Sequence, residues 1–225
     1  MKRGLLKLVQ QVLNNFNLAL TRPNNNLGRE RYISLSERMD YTRTATLDLL
    51  AHEIIKNNVK GQIAELGVFK GEFAKYLNRI FPDRPLHLFD TFEGFDVRDI
   101  ENEKKNKFST GDQNFSDTSV ELVLSKMYSP DKCLVHKGFF PNTTAGLSND
   151  LSFAFVSIDA DLYQPIYEGL KYFYPKLSSG GYIFVHDFNN QEYSGANKAV
   201  LDFCNENNIP YTPTADGWGS VVIAK

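Results

Sequence analysis

Short apolar segments alternate with helical patterns along most of this 225-residue chain, and this alternation limits the possible fold more than any other feature. Because strand–helix–strand units build parallel sheets that helices cover on both faces, we predict a Rossmann-like α/β sheet that is mostly parallel. The last two strands, near Tyr211 and at 220–224, have no helix between them, so we expect an antiparallel hairpin at the sheet edge. The predicted strands before this hairpin span 62–66, 86–90, 133–136, 153–158 and 182–185, and the predicted helices span 71–81, 118–127, 167–177 and 196–207.

The first sixty residues lack these units and predict extra N-terminal helices. Apolar residues at 5, 6, 8, 9, 12, 13 and 16 follow a helical period, Pro23 to Asn26 break it, and 36–58 predicts one long helix that includes Leu35 and Met39 on its apolar side. Polar residues interrupt the first apolar stretch, which argues against a secretion signal and favours a cytoplasmic protein. We expect residues 1–60 to cover the site or to form a homo-oligomer contact, with docking of the first helix on a membrane surface as the alternative, and residues 61–225 to form the catalytic domain.

Composition excludes several classes of protein. The net charge is −2 and the pI is about 6.1, so no basic surface argues for nucleic acid. No apolar run approaches the ~20 residues of a membrane-spanning helix. The two cysteines, Cys133 and Cys204, match no metal or redox spacing.

A glycine-containing loop follows the first predicted strand and predicts a cofactor site. Gly67 and Gly71 allow a sharp turn close to a ligand, and their spacing is wider than in a dinucleotide fingerprint. Glu65, before the first glycine, suits a positively charged group such as an amino-acid ammonium. Asp90 ends the second strand and can accept hydrogen bonds from both hydroxyls of a ribose. Together these residues indicate a nucleoside joined to an amino acid, such as S-adenosylmethionine, and an ordinary tight turn is the alternative.

Acidic residues follow the fourth and fifth predicted strands. Asp159 and Asp161 follow the fourth, and His186 and Asp187 follow the fifth. Such a group of acids is costly without a compensating cation, and oxygen ligands favour magnesium, calcium or manganese. A bound ion would orient a substrate hydroxyl and lower its pKa, whereas the alternative is that these acids cap the following helices. Asp161, Asp187 and His136, which ends the third strand, are the candidate catalytic bases.

Three further segments border the predicted site. The charged stretch 96–114 shows no apolar periodicity, and we expect a loop that forms part of a lid, or a mobile surface loop. Thr118 and Glu121 have the spacing of a capping box, which predicts that a helix starts there. Phe115, Gly138 and Phe139 lie where an adenine could be covered, although the aromatic residues suit a core equally well.

Five segments form an ordered set of motifs, at 64–71, 89–95, 115–119, 158–163 and 174–182. This set resembles the macrocin O-methyltransferase family, whose members use S-adenosylmethionine to methylate sugar hydroxyls of macrolide antibiotics. The motif from Phe89 to Phe95 is specific to this family, and the resemblance extends from about residue 38 to residue 203. It implies a class I methyltransferase fold with magnesium at the acidic site.

The resemblance also implies roles for single residues. It implies that Asp159 and the His186–Asp187 pair bind the metal, although the family usually carries two adjacent acids where this chain has His186. A histidine there could bind a softer ion, act as a base, or mark the loss of metal dependence. The residues that the resemblance assigns to the cofactor are Glu65, Gly67 and Gly71 for the methionine group, Asp90 for the ribose, and Phe69, Ser116 and Asp159 from the same motifs.

These inferences predict an S-adenosylmethionine-dependent, metal-assisted O-methyltransferase that acts on a hydroxyl of a sugar or a glycosylated small molecule. One alternative is a dinucleotide-dependent oxidoreductase on a Rossmann sheet, against which the glycine spacing argues. The other is a module that binds the cofactor without chemistry, and only His186 favours it.

Overall fold

The computed structural model describes residues 2–16, 18, 20, 23, 27–36 and 39–225. Tertiary contacts divide the chain into a short unit, residues 1–32, and a large unit, residues 33–225. The short unit contains the predicted first helix as α1 (Lys2–Asn14), and the backbone N–H of Leu20 donates to the Gln10 side chain at 2.7 Å. Of the predicted break at 23–26, residues 24–26 lie outside the described residues. The role of residues 1–60 as a lid or an oligomer contact stays a prediction.

The large unit is built on a seven-stranded sheet in the described residues, with the order β3-β2-β1-β4-β5-β7-β6. The first five strands pair in parallel, and β7 lies antiparallel between β5 and β6. The predicted mostly parallel sheet with an antiparallel edge hairpin is therefore confirmed. The strands are β1 (Gln62–Leu66), β2 (Leu86–Asp90), β3 (Cys133–Lys137), β4 (Phe153–Ile158), β5 (Leu177–Val185), β6 (Thr212–Pro213) and β7 (Val221–Ala224).

Helices cover both faces of this sheet. On one face, α6 and α7 pack against side chains such as Phe89, Val156 and Val185. On the other face, Phe184 of β5 meets Phe73 at a ring distance of 6.2 Å. The helices of the large unit are α2 (Tyr41–Lys56), α3 (Ala74–Ile80), α4 (Val97–Asn106), α5 (Val120–Leu124), α6 (Tyr163–Lys176) and α7 (Ser194–Asn207).

The predicted long helix over 36–58 is shorter than expected. It begins at Tyr41 because the Asp40 side chain accepts hydrogen bonds from the backbone N–H groups of Thr42 and Arg43 and so caps it. Leu35 and Met39 therefore lie before the helix, while predicted residues 37 and 38 lie outside the described residues. The helix α2 contacts β5, and the contact boundary falls after Tyr32, whereas the sequence placed the domain boundary after residue 60.

The prediction of a loop over 96–114 is wrong for the first half of this stretch, which forms helix α4. Asp96 caps the helix through the backbone N–H of Arg98 at 3.0 Å. Glu103, fully buried, accepts hydrogen bonds from the Tyr163 backbone N–H at 2.6 Å and the Ser109 hydroxyl at 2.8 Å. A buried carboxylate rather than an apolar stripe fixes this helix, so apolar periodicity could not reveal it.

The helix cap predicted at Thr118 lies one residue later in the structure, at Ser119. Ser119 caps α5 by accepting from the Leu122 backbone N–H at 3.1 Å. The Thr118 hydroxyl instead donates to the backbone carbonyl of Phe69. Thr118 thus connects the start of α5 to the loop after β1.

The core centres on β4, whose six residues are all buried. Phe173 of α6 lies edge-on to Phe153 at 5.2 Å and to Phe89 at 5.7 Å between ring centroids. Burial of such side chains stabilises the fold by roughly 1.5–3 kcal/mol each. In the part of the chain that the structure describes, no helix is long and apolar enough to cross a bilayer.

Candidate active site

A cavity of about 380 Å³ opens where the carboxyl ends of β1, β2, β4 and β5 meet. This is the position at which open parallel sheets bind ligands. Most of the predicted site residues line it, namely Glu65, Gly67, Phe69, Asp90, Asp159, Asp161, His186 and Asp187. The topology therefore joins the predicted cofactor loop and the predicted acidic site in one cavity.

The loop after β1 approaches the end of β4 so closely that Gly67 cannot carry a side chain. Its φ is +83°, and a Cβ there would lie 2.1 Å from the Asp159 carbonyl oxygen. Asp90 fixes the same loop, because one of its carboxylate oxygens accepts from the backbone N–H groups of Val68 at 2.7 Å and Phe69 at 2.8 Å. Its other oxygen accepts from the Phe92 N–H at 2.6 Å. A carboxylate has about four acceptor positions, so Asp90 retains capacity for a ligand hydroxyl.

Glu65 presents a carboxyl group to the cavity from the end of β1. Its side chain is 1% exposed, and its Oε2 atom has no hydrogen-bond partner. Burial, followed by the nearby charge of Asp159, raises the pKa of Glu65 well above its usual range. A buried acceptor without a donor is unfavourable, and a cationic N–H group of a ligand would satisfy it. This arrangement fits the ammonium group for which the sequence proposed it.

Arg43 of α2 and His186 neutralise the acidic site. Arg43 Nη2 donates to Asp159 Oδ2 at 2.7 Å, and His186 Nδ1 lies 3.0 Å from Asp159 Oδ1 and 2.8 Å from Asp187 Oδ2. Burial alone would lower the pKa of His186, but the two carboxylates raise it to about 10. The sequence did not predict Arg43 as a site residue, because 116 positions separate it from Asp159 and no local spacing marks it.

Asp161 differs from its neighbours. Burial raises its pKa well above the usual value, and the charges of Asp159 and Asp187 act in the same direction. Its backbone has a φ of +58°, a left-handed conformation, as does that of Asp187 at +62°. Such non-glycine positions require support from the surrounding structure and often occur at functional sites.

The predicted metal ligands lie close together, but their arrangement does not fit a divalent ion. The ligand atoms of Asp159, His186 and Asp187 all lie within 4.8 Å of one another. However, Nδ1 of His186 faces two carboxylate oxygens and must carry a proton there, so it has no lone pair for a metal. The second oxygen of Asp187 accepts from Asn190 Nδ2 at 2.8 Å, and Arg43 holds the second oxygen of Asp159.

The structure does not bring His136 to the site. Its Nε2 atom lies 2.8 Å from Nδ1 of His87, and its ring stacks on Phe89 at 4.3 Å. The side chain is thus engaged along the sheet face instead of pointing beyond the strand end, and among described residues it does not line the cavity. The strand continues to Lys137, one residue past the predicted end.

Two predicted cofactor residues also lie outside the lining. The position of a Gly71 Cβ would be 3.0 Å from Cγ1 of Val123, so this glycine lets the loop pack on α5. The Ser116 backbone N–H donates to the Asn114 side chain at 2.9 Å. Phe115, Gly138 and Phe139 do line the cavity, in agreement with their expected place.

The first turn of α4 adds a carboxyl group that the sequence did not suggest. Asp99 is 8% exposed and lines the cavity. Burial, with the charge of Asp96 second, raises the pKa of Asp99 to about 7. Arg98 lies 3.5 Å over the ring of Phe139, which follows β3, and so holds this turn at that end of the cavity.

Comparisons with known proteins agree with this architecture. A curated relative, demethyldecarbamoylnovobiocin O-methyltransferase of Streptomyces niveus, is 25% identical over 174 residues, which is 72% of this chain and 66% of the relative. The chain therefore spans just under two thirds of the length of that relative. The O-methyltransferase NovP has a TM-score of 0.66 at 22% identity and covers 82% of this chain and 79% of its own. Calicheamicin methyltransferase CalS11 has a TM-score of 0.66 at 19% identity, with 97% and 91% covered.

The structural likenesses confirm the predicted methyltransferase fold, and a family match extends the conclusion to the sequence. The sequence model described as macrocin-O-methyltransferase (TylF) matches residues 33–221, which include β1 to β5, every cavity residue named above and α2 with Arg43. This span is most of the chain. The chain belongs to the macrocin-O-methyltransferase (TylF) family.

Proposed function

We propose that this chain is an S-adenosylmethionine-dependent O-methyltransferase that methylates a hydroxyl of a sugar or of a sugar-bearing small molecule. The observation that carries the proposal is the cavity itself, in which the buried Glu65, whose Oε2 atom has no hydrogen-bond partner, lies beside the loop that Asp90 holds. Membership of the family and the O-methyltransferase named as a relative support the reaction. The sugar acceptor is inferred from the family alone.

The cavity residues suit the three parts of the cofactor. Glu65 would accept hydrogen bonds from the methionine ammonium, and the remaining acceptor position of Asp90 would bind one ribose hydroxyl. Phe139, with Gly138 before it, would cover the adenine at the β3 end of the cavity. When bound, S-adenosylmethionine supplies a methyl group on a positively charged sulfur.

The acceptor hydroxyl needs a base, and Asp161 is the residue that we assign to this role. Asp161 lines the cavity, and its raised pKa makes its ionised form a stronger proton acceptor than an ordinary aspartate. Asp161 would take the hydroxyl proton while the acceptor oxygen took the methyl group that S-adenosylmethionine would supply, with the electron pair of the sulfur–carbon bond left on sulfur. Asp187 accepts from Asn190 and lies close enough for its charge to raise the pKa of Asp161, so it would stabilise the proton that Asp161 takes up.

The remaining expectations stay predictions. Magnesium assistance, which the resemblance implied, has no support in the hydrogen bonding of Asp159, His186 and Asp187. A cytoplasmic location, a homo-oligomer through residues 1–60 and the absence of nucleic-acid partners are untested. The oxidoreductase alternative has no support from the family match.

The decisive experiment has two steps. Calorimetric titration with S-adenosylmethionine and S-adenosylhomocysteine should show one site per chain, and failure to bind either would refute the proposal. Transfer of a labelled methyl group should then be measured to a panel of nucleotide sugars and glycosides, with Asp161→Asn as the inactive control. Binding without transfer to any acceptor would favour the cofactor-binding module instead.

A further inference from the structure

The acidic site of this chain contains its own positive charges. We propose that Arg43 and His186 take the place of a divalent ion between Asp159 and Asp187, so that the site works without a metal. The proposal rests on the proposed function, because it concerns how the acceptor hydroxyl is held for methylation. It departs from the metal-bound site that the resemblance implied.

The position of the His186 ring is the first argument. Its Nδ1 atom lies between Asp159 Oδ1 at 3.0 Å and Asp187 Oδ2 at 2.8 Å, so the imidazole takes up the space between these two carboxylate oxygens. The other ring nitrogen, Nε2, lies 3.9 Å from Asp216 Oδ2. Asp216 in turn is buried and accepts from the Ser220 backbone N–H and hydroxyl at 2.9 and 2.7 Å. The ring thus has carboxylates on both sides, with those of Asp159 and Asp187 within hydrogen-bonding distance of Nδ1.

Arg43 is the second argument. Its guanidinium contacts Asp159 at 2.7 Å and stacks over Phe73 at 4.4 Å from the ring centre, and its side chain is 8% exposed. A guanidinium remains charged at all working pH values. A divalent ion bound to Asp159 would lie against this fixed charge in a poorly hydrated site, where repulsion between like charges is strong.

The charges of the two pairs balance. Asp159 and Asp187 supply two negative charges, and Arg43 and His186 supply two positive charges within hydrogen-bonding distance, while the Asp216 carboxylate lies farther off, 3.9 Å from His186. A cluster of acids needs a cation only when no protein group provides one. Here Asp159 and Asp187 are already compensated by side chains of the protein, and Arg43 itself lines the cavity.

A metal titration separates this proposal from the metal-bound alternative without any need for the acceptor. Binding of Mn²⁺ to the full chain is followed by electron paramagnetic resonance and by water proton relaxation. We expect the wild type to bind Mn²⁺ with a dissociation constant above about 1 mM, which is the weak end of the range for carboxylate sites. His186→Asp, alone and with Arg43→Met, should bind Mn²⁺ at least about tenfold more tightly. His52→Asp, a histidine of α2 outside the cavity lining, is the matched control and should gain nothing.

The outcomes are distinct. Micromolar Mn²⁺ binding by the wild type that is lost in Asp159→Asn would overturn the proposal, and this measurement does not depend on whether the His186 variants fold. A titration with S-adenosylmethionine in excess chelator is run in parallel, and absence of binding there would defeat the proposed function, not this inference. Once an acceptor is known, the rate of methyl transfer should change less than about twofold in chelator. A loss of about tenfold or more that Mg²⁺ restores would refute metal independence.

Discussion

Replacement of Glu65 by glutamine should weaken cofactor binding and stabilise the free protein. The glutamine keeps the shape of the side chain and one carbonyl acceptor but removes the charge that faces the cavity. In the free protein the Glu65 carboxyl is buried, its Oε2 has no partner, and its pKa is raised. The burial that makes the ionised residue costly in the free protein also makes it a strong partner for an ammonium group.

The magnitude follows from the type of bond that is lost. A hydrogen bond to a charged group contributes about 1.5–3 kcal/mol, and about 2 kcal/mol corresponds to an affinity roughly 30-fold lower. The stability change has the opposite sign. Because the folded-state pKa of Glu65 lies above its unfolded value, ionisation of the buried group costs stability as the pH rises from about 4.5 through the folded-state pKa. Glu65→Gln should therefore have a higher free energy of unfolding than the wild type at pH 8, and this gain should vanish below about pH 4.

Calorimetry with two ligands tests this reasoning. S-adenosylmethionine should bind Glu65→Gln roughly 30-fold more weakly, whereas 5′-deoxy-5′-methylthioadenosine, which lacks the amino-acid group, should bind both proteins equally. Glu72→Gln is the matched control, because Glu72 borders the cavity but is paired with Lys75 and Lys126 at 2.6 Å each. Equal loss of both ligands, or S-adenosylmethionine affinity within twofold of the wild type, would show that Glu65 does not bind the ammonium group.

Three further changes have defined outcomes. Asp99→Asn should raise the free energy of unfolding by about 2 kcal/mol at pH 8 but not at pH 4. The reason is that the folded-state pKa of Asp99, about 7, lies above its unfolded value, so ionisation of the buried carboxyl at pH 8 destabilises the wild type. Urea titrations at both pH values measure the difference. Gly67→Ala should lower cofactor affinity by more than about tenfold, because its Cβ would lie 2.1 Å from a carbonyl oxygen. Gly146→Ala is the control: its φ is similar and nothing lies within 4 Å, so it should lose about 1 kcal/mol of stability and no cofactor affinity. Equal cofactor affinity of the two variants would contradict the close approach of the loop after β1 to the end of β4. Phe173→Ala should destabilise the fold by about 3–5 kcal/mol in the same urea titration, and a loss below about 1 kcal/mol would mean that the β4 core is not packed as described.

The sheet and most of the cavity could be predicted because both depend on local patterns. An apolar segment that ends in Asp90 or Asp159 marks a strand and also places its acid at the shared carboxyl edge. No comparable pattern shows Arg43, whose partner is distant along the chain, or α4, which a single buried glutamate fixes. His136 fails for a related reason, since the residue at a strand end can face along the sheet or beyond it, and only the pairing with His87 decides this.

The Asp90 carboxylate has a consequence for how a ligand enters. Since it already accepts from two backbone N–H groups of the loop after β1 and from one of the loop after β2, we expect both loops to have their shape before the cofactor arrives. Binding then carries little entropic cost for ordering these loops, and more of the interaction free energy remains for affinity. The heat-capacity change on binding should correspond to burial of the ligand alone, without the larger change that accompanies folding of a segment.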